Sequence, residues 1–578
     1  MIFFTVVIFQ ITYNHPVREN VSLFYSSKKL QKTILSKIKF EDVTEKWNIV
    51  YDHAKNTEGS NKLKNFLFPS ITVYDFDDNG FLDIFYSGGN RNFLFLNLGN
   101  GQFQESAKTF GIDCENDTSD LNSQAILADL NGDGTDDLYL ATTGKHRLFI
   151  REKNTNHFKE ETQLLGGYAS FSHGINFLDF NQDGRLDIVV ANFYELGTEY
   201  RKMEYVLKPG TESNYGTINN LLLQDSNGAF KSNKVILNTK KSMSNSVGVS
   251  DINNDGFPDI FFANDYGPDQ LLLNQTGKST SDVTSNFLPK KLYLNGGKNA
   301  EFVDFDQDGL IDLFVTNAYI PPYQLGFNML WKKKSSKGDF ELVSLNKNIG
   351  KSGLSWGAKF ADFNLDGKLD VFVANGLERD ERSNSINDEK SLWYGRSEFS
   401  LMPLLFRGKD MNFLRNPNML YHRFAFERDS LFIQYNNDFY DVAVDVGLND
   451  DREGRGVAIA DLNNDGLMDI IVTNYKGPSK VYLNKSTPST SWIGFTMHDS
   501  KGSKIPIGAK VKLKQSSGPD LVKEYYPANG FHSQSDHRLL FSLNQNSHFL
   551  SLEILWPSKI KKTYKGLTEK KYNDVYEK

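Results

Sequence analysis

Seven segments of this chain repeat one nine-residue pattern: Asp, an apolar residue, Asp or Asn, any residue, Asp or Asn, Gly, two variable residues and Asp. Oxygen-bearing side chains at positions 1, 3, 5 and 9, with the carbonyl at position 7, can surround a hard cation, and Gly at position 6 allows the sharp turn between them. Oxygen donors without Cys or His favour Ca²⁺ over Zn²⁺ or copper, and the strict octahedral geometry of Mg²⁺ suits such a loop less well. The predicted calcium ligands are Asp75, Asp77, Asn79 and Asp83; Asp129, Asn131, Asp133 and Asp137; Asp179, Asn181, Asp183 and Asp187; Asp251, Asn253, Asp255 and Asp259; Asp304, Asp306, Asp308 and Asp312; Asp362, Asn364, Asp366 and Asp370; and Asp461, Asn463, Asp465 and Asp469.

Two other interpretations of the repeat have to be considered. An EF-hand requires a bidentate Glu at position 12 and flanking helices, but position 12 is apolar in all seven copies. The EF-hand is therefore excluded. Alternatively, the Asp and Asn side chains form Asx-turns that cap their own backbone without a metal.

The elements around the repeats predict the architecture. The repeats begin 54, 50, 72, 53, 58 and 99 residues apart, and most are followed by a short β-branched or aromatic run such as residues 260–262. Such runs are typical of strands buried on both faces, and about four strands per unit at this period are typical of a propeller blade. The sequence therefore predicts an all-β fold: a seven-bladed β-propeller over residues 38–486, with insertions at 191–220 and 377–438, followed by a small β-rich domain over 487–578.

The blades resemble the FG-GAP/VCBS repeats of integrin α-subunit propellers, with further matches around single loops such as residues 355–358 (SWGA). Residues 507–511 (IGAKV), 530–535 (GFHSQS) and 556–558 (WPS) are similar to the ASPIC/UnbV domain. Two modules in this order resemble the layout of the cartilage acidic protein family and its bacterial relatives. The resemblance implies an extracellular, calcium-binding matrix or surface protein.

Composition agrees with an exported binding protein. The net charge of −7, without a basic stripe, argues against a nucleic-acid partner, and a single Cys excludes an internal disulfide framework. Residues 1–13 within the N-terminal segment 1–37 resemble the apolar core of a signal peptide and are too short to span a bilayer. Loops of this kind also suit millimolar extracellular calcium. We therefore expect a secreted or cell-envelope protein without a transmembrane span.

The expected role is that of a non-enzymatic binding, adhesion or scaffolding module with a protein or glycan ligand at the cell surface or envelope. No G-x-S-x-G, H-E-x-x-H or P-loop motif occurs, and His532 and His537 are expected in a surface loop. One alternative is a carbohydrate-active lyase or hydrolase that uses the central channel and the 377–438 insertion. Another is an intracellular partner in a biosynthetic cluster.

Overall fold

The computed structural model describes residues 32–58, 68–115, 120–195, 216–287, 296–317, 319–320, 324–325, 327–336, 339–376 and 427–578. The apolar segment 1–13, residues 196–215 of the first predicted insertion and residues 377–426 of the second lie outside them. The helices in the described part are single turns. They are Lys32–Leu35, His53–Asn56, Ala107–Phe110, Lys234–Leu237 and Thr284–Phe287, with 3₁₀ turns at Thr162–Leu165 and Ala443–Val446.

Seven antiparallel sheets of four strands each form the blades. With strands numbered in chain order, and given from the innermost outward, they are: blade 1, β2 (Ser70–Tyr74), β3 (Asp83–Ser87), β4 (Phe93–Asn97) and β5 (Phe103–Glu105); blade 2, β6 (Asn122–Ala128), β7 (Asp137–Thr142), β8 (Arg147–Arg151) and β9 (Phe158–Glu160); blade 3, β10 (Phe171–Leu178), β11 (Asp187–Tyr194), β12 (Asn220–Gln224) and β13 (Phe230–Ser232); blade 4, β14 (Met243–Ser250), β15 (Asp259–Tyr266), β16 (Gln270–Asn274) and β17 (Thr280–Asp282); blade 5, β18 (Ala300–Val303), β19 (Asp312–Val315), β22 (Met329–Lys333) and β23 (Phe340–Leu342); blade 6, β24 (Ser355–Ala361), β25 (Asp370–Asn375), β26 (Ser430–Tyr435) and β27 (Asp438–Asp441); and blade 7, β28 (Gly454–Ala460), β29 (Asp469–Asn474), β30 (Lys480–Asn484) and β1 (Phe40–Asp42). A two-stranded hairpin, β20 (Tyr319–Ile320) and β21 (Gln324–Leu325), interrupts blade 5.

The innermost strands of neighbouring blades contact one another all the way round, so the blades close into a ring. The second strands lie between neighbouring blades and are the apolar runs seen in the sequence: Ile260, Phe261 and Phe262 have no exposed surface. Burial on both faces explains why these strands do not alternate between polar and apolar residues. The structure confirms the predicted all-β, seven-bladed propeller.

The sequence unit and the structural blade do not have the same boundaries. Each unit contributes its first strand to the preceding blade and its other strands to its own blade. A short strand before each loop, which begins with Phe in five of the seven cases as in Phe158–Glu160, is the outermost strand of the preceding blade. The same arrangement places the N-terminal strand Phe40–Asp42 on the edge of blade 7, where Phe40 pairs with Asn484. The first described strand thereby closes the ring, which leaves no long unpaired edge at the junction.

The C-terminal domain consists of two small sheets packed on the propeller. Its strands are β31 (Trp492–His498), β32 (Lys510–Gln515), β33 (Leu521–Glu524), β34 (Ser533–Gln534), β35 (Leu539–Ser542), β36 (Phe549–Leu555), β37 (Lys561–Tyr564) and β38 (Tyr572–Tyr576). Strand β31 lies between β35 and β38, while β32 and β36 form the centre of the other sheet. Strand β34 belongs to neither, because it joins blade 1 in parallel with β2. Among the described residues, no helix has the length and apolarity needed to cross a membrane.

Candidate functional site

All seven repeats form the turn between the first and second strands of their blades. We call these turns loops 1 to 7, with the number of the blade: 75–83, 129–137, 179–187, 251–259, 304–312, 362–370 and 461–469. Position 1 follows the innermost strand, and position 9 is the first residue of the second strand. Because each loop joins the same pair of strands, the loops lie on one face of the ring, which we call the loop face. The structure thus brings the four predicted ligand positions of each repeat into one turn.

Each loop needs two left-handed residues. Gly at position 6 has φ between 81° and 91° in every loop, as the sequence predicted. Position 4 is also left-handed, with φ between 47° and 74°. Position 4 carries no common residue type, which is why the sequence did not show it: the residues are Asp78, Gly132, Gln182, Asn254, Gln307, Leu365 and Asn464.

Hydrogen bonds inside the loops show the predicted Asx-turns. In loop 1, Asp75 Oδ1 accepts from the Asn79 N–H at 3.0 Å and Asp75 Oδ2 accepts from the Gly80 N–H at 3.1 Å. The Asn79 side-chain oxygen accepts from the Phe81 N–H at 2.8 Å. A carboxylate oxygen can accept more than one partner, so these turns and a bound cation are compatible.

Position 9 holds three parts of each blade together. Asp83 accepts from the N–H of Phe76 in its own loop and from the N–H of Asn97 at the end of the third strand, both at 2.7 Å. The equivalent Asp makes the same two kinds of bond in every other loop: Asp137, Asp187, Asp259, Asp312, Asp370 and Asp469. Sequence reasoning assigned these residues as ligands only and missed this structural role.

Burial makes a negative charge at position 9 unfavourable. It raises the pKa of Asp83, Asp259 and Asp312 to about 8 and that of Asp187 to about 7, and neighbouring loop carboxylates add to the rise. The pKa values of the remaining position-9 residues rise in the same direction for the same main cause: Asp137, Asp370 and Asp469. A cation in the loop is the kind of group that would offset this cost.

Loops 1 and 5 bring three carboxylates together. Ligand atoms of Asp75, Asp77 and Asp83 lie within 4.8 Å of one another, and the same holds for Asp304, Asp306 and Asp312. These two donor sets fit the oxygen coordination that Ca²⁺ prefers. The other five loops carry Asn at position 3, so their donor sets contain one carboxylate fewer at the predicted positions 1, 3 and 9.

The C-terminal domain covers much of the loop face. Lys504 lies 2.6 Å from Asp78 in loop 1, and Lys510 lies 2.6 Å from Asp251 in loop 4. In loop 2, the Ser503 hydroxyl donates to Asp136 at 2.7 Å, and in loop 7 the Tyr572 hydroxyl donates to Asp461 at 3.0 Å. The C-terminal domain therefore contacts loops 1, 2, 4 and 7 on this face.

A segment of the C-terminal domain also fills the centre of the ring. Residues 528–538, here called the channel segment, are all buried. Their polar groups bond to the innermost strand, or the residue before it, in each of the seven blades. The partners are Ile71 in blade 1, Leu127 in blade 2, Asn176 in blade 3, Val249 in blade 4, Asn299 in blade 5, Lys359 in blade 6 and Ile459 in blade 7.

The channel segment corrects the placement of two histidines. His532 and His537 do not lie in a surface loop, because their exposed fractions are 0% and 2%. His532 has φ of 48°, and its carbonyl accepts from the Ile71 N–H at 3.1 Å. Burial lowers the pKa of both imidazoles well below the usual value, which favours the neutral form of each ring. No repeat or periodicity in the sequence indicated that this stretch enters the propeller.

Fold and loops together define a β-propeller with acidic turn motifs and a C-terminal domain inserted into its channel. Residues 75–140, 129–190 and 251–315 match the FG-GAP-like repeat family, and residues 499–577 match the ASPIC and UnbV family. The chain therefore contains FG-GAP-like repeats and a C-terminal ASPIC and UnbV domain, as the sequence predicted.

Its similar relatives include cartilage acidic protein 1 from two vertebrates. The Xenopus tropicalis protein is 21% identical over 514 residues, which is 84% of this chain and 70% of that protein. The Mus musculus protein is 25% identical over 278 residues, which is 42% of this chain and 41% of that protein. The match to the mouse relative thus spans about two fifths of its length. The placement among bacterial relatives stays a prediction.

One similar solved structure is that of an Agrocybe aegerita lectin, described as recognising non-reducing terminal N-acetylglucosamine. It has a TM-score of 0.35 and 16% sequence identity, and covers 54% of this chain and 75% of the lectin. A likeness at this score carries no functional weight here.

Proposed function

We propose that this protein is an exported, calcium-stabilised, non-enzymatic propeller that acts as a binding, adhesion or scaffolding module at the cell surface or in the envelope. Its partner would be a protein or a glycan. Similarity to cartilage acidic protein 1 and the FG-GAP-like repeats support the binding role. The proposal also accounts for a structure in which the chain itself fills the channel.

Calcium would bind in the loops, most favourably in loops 1 and 5. Asp75, Asp77 and Asp83 would supply carboxylate oxygens in loop 1, and Asp304, Asp306 and Asp312 would do so in loop 5. When bound, the ion would supply positive charge to buried carboxyls and fix the turn between two strands. The chain's own part is to hold each donor in place through the Asx-turns and the paired bonds of position 9.

The filled channel is the observation that carries the non-enzymatic assignment. A propeller enzyme commonly builds its active site in the central channel, but here the channel segment occupies that space and bonds to every blade. The carbohydrate-active alternative relied on an open channel. We therefore favour binding over catalysis.

A partner would bind on the face opposite the loop face. Connections between second and third strands lie there, and both predicted insertions occur in such connections: between β11 and β12, and between β25 and β26. Insertions at blade connections commonly carry binding function. The C-terminal domain covers much of the other face, which leaves the opposite face as the place for recognition.

Calorimetric titration of the chelator-stripped protein with Ca²⁺, alongside thermal melts, tests the proposal. We expect several ions to bind and the melting temperature to rise by mass action. No binding up to several millimolar Ca²⁺ would reduce the loops to metal-free Asx-turns and remove the physical argument for an extracellular site. Cell fractionation tests the compartment separately, and recovery in the cytosol would contradict export.

A further inference from the structure

Lys332 is an exception among the third strands of the seven blades. In each blade, one residue near the end of this strand donates its N–H to the position-9 Asp, and in blade 5 that residue is Lys333, 2.7 Å from Asp312. This shared bond aligns the blades residue by residue, and Lys332 comes directly before it. The residues at the same place in the other six blades are all apolar: Leu96, Ile150, Leu223, Leu273, Ile433 and Leu483. A lysine at this place is therefore not needed to build a blade.

The Lys332 side chain reaches two predicted calcium ligands of loop 5. Its ammonium donates to Asp306 Oδ2 at position 3 and lies 3.1 Å from Asp308 Oδ2 at position 5. All three side chains are partly buried, so water screens these contacts less than it screens a surface ion pair. Within the part of the chain that the structure describes, no other Lys or Arg pairs with two predicted ligands of one loop.

Lysines from the C-terminal domain contact two other loops less directly. Lys504 lies 2.6 Å from Asp78, which is not a predicted ligand, and 3.4 Å from Asp75, which is. Lys510 is shared between one ligand of loop 4 and Glu524, at 2.6 and 3.2 Å. Loop 5 is thus the loop whose ligands are most directly paired with an ammonium.

Loop 5 also keeps an oxygen that the lysine does not use. Asp306 Oδ1 is buried and has no hydrogen-bond partner among the described residues. The carboxylates of Asp304 and Asp312 lie close to it, with ligand atoms within 4.8 Å of one another. The ammonium therefore neutralises part of the charge of the loop without satisfying all of its donors. A calcium ion that binds here has to do so beside a positive charge and in competition for Asp306 and Asp308.

We propose that Lys332 is a built-in counter-ion of loop 5, which lowers the calcium affinity of this loop below the value that its three carboxylates alone would give. The inference rests on the calcium binding proposed above. Lys332 keeps the carboxylates of the loop paired while calcium is scarce, and it raises the calcium concentration at which the loop fills.

The test is a calorimetric titration of the chelator-stripped, full-length protein with Ca²⁺. Lys332→Leu gives blade 5 the residue type of the other blades, and one ion per chain should then bind about tenfold more tightly than in wild type or better. Lys332→Arg keeps the charge and should stay within about threefold of wild type. Lys334→Leu is the matched control, because Lys334 pairs with Glu341 outside the loop, and it should titrate like wild type.

A second substitution assigns the gain to loop 5. Asp304→Asn removes a predicted ligand of this loop with little change in size, so the tighter binding of Lys332→Leu should be lost in the double variant. A gain that persists in the double variant would come from another loop and would contradict the proposal.

Thermal melts provide a readout that a merely structural role would not move. In chelator, Lys332→Leu should melt below wild type, because Asp306 and Asp308 lose their counter-ion. Calcium should then raise the melting temperature of the variant more than that of wild type. A lysine with only a structural role would lower the melting temperature equally in both conditions.

The remaining outcomes separate this inference from the function on which it rests. Calcium binding of equal affinity by wild type and folded Lys332→Leu would overturn this inference alone, and so would an equal gain in Lys334→Leu. If neither wild type nor Lys332→Leu binds Ca²⁺ up to about 10 mM, the calcium function fails and this inference fails with it. If Lys332→Leu does not fold, Lys332→Gln also removes the charge and is held to the same expectations.

Discussion

The seven loops and the channel segment stabilise the propeller in different ways. Each loop works within one blade, where the position-9 Asp ties the loop to the end of the third strand, as Asp83 does with Phe76 and Asn97. The channel segment works between blades, because eleven consecutive buried residues, 528–538, bond to all seven. The seven loops therefore stabilise individual blades, and the channel segment connects the blades to one another.

The two elements also differ in the charge they bury. The loops concentrate carboxylates that would be stabilised by a cation from solution. The channel segment is held mainly by neutral amide and main-chain bonds: Asn529 accepts from Asn176 and from the Val249 N–H, and donates to the Val249 carbonyl, over 2.8 to 3.0 Å. Calcium removal should therefore affect blade turns, whereas changes in the channel segment should affect the ring as a whole.

Removal of residues 487–578 should have the largest effect. It deletes the channel segment and leaves buried polar groups of the innermost strands without partners, each at a cost of roughly 1–3 kcal/mol. We expect the remaining propeller either not to fold or to melt at least about 10 °C lower. Circular dichroism melts of both chains measure this. A truncated chain that melts within about 3 °C of the full-length protein would contradict the joining role.

Asn529→Ala should be the most damaging single substitution in the channel segment. It removes three hydrogen bonds, deprives the Val249 N–H and carbonyl of their Asn529 partner in the buried channel, and leaves the Asn176 amide with only a 3.4 Å bond to the Val247 carbonyl. We expect the free energy of unfolding in urea to fall by about 3 kcal/mol, in calcium and in chelator alike. Asn227→Ala in an exposed turn is the matched control and should change stability by less than about 0.5 kcal/mol.

Asp77→Ala tests the loops without disturbing the blade. Its carboxylate makes only long bonds, to the Asn79 N–H at 3.3 Å and to the Asn79 side chain at 3.2 Å. We expect about 1–2 kcal/mol less stabilisation by calcium and almost no change in chelator, since loop 1 loses a ligand but keeps its turn. Melts at matched calcium concentrations check this, with Asp520→Ala, at a partly exposed carboxylate outside the loops, as control. An equal loss in both conditions would mean that Asp77 acts on the turn and not on an ion.

His146→Gln should have the smallest effect, visible only in acid. Burial lowers the pKa of His146 to about 3, and its Nδ1 lies 2.7 Å from the Tyr139 hydroxyl. In the unfolded chain the His146 imidazole binds a proton below about pH 6.5, whereas in the folded chain it stays neutral at that pH. The free energy of unfolding therefore falls as the pH drops below about 6.5.

The variant should lose about 1 kcal/mol less than wild type between pH 7.0 and pH 5.5, measured by urea unfolding. His157→Gln, at an exposed histidine, is the matched control. The same pH slope for wild type and His146→Gln would mean that His146 does not contribute to acid sensitivity.

The sequence predicted what depends on local, repeated residue patterns. Gly80 and its equivalents marked the turns, and the apolar runs after them marked the second strands. The sequence did not show position 4 of the loops, because a left-handed backbone there is adopted by residues as different as Gln182 and Leu365. Nor did it show the second role of Asp83, which depends on the end of the third strand coming close in space.

The channel segment could not be predicted for a different reason. His532 and Gln534 are polar and look like surface residues, and they are buried only because the innermost strands offer polar partners such as the Leu127 main chain. Those partners come from blades far apart in the sequence. The assignment of each outermost strand to the preceding blade could not be predicted for the same reason. It depends on pairs that are distant in the sequence, such as Phe40 with Asn484.

The most direct test of the joining role is differential scanning calorimetry of the full-length protein in chelator. If the channel segment binds the blades to the C-terminal domain, both should unfold in one transition, and Asn529→Ala should shift that whole transition to lower temperature. Two separate transitions in wild type, with Asn529→Ala moving only the one that belongs to the C-terminal domain, would contradict the account.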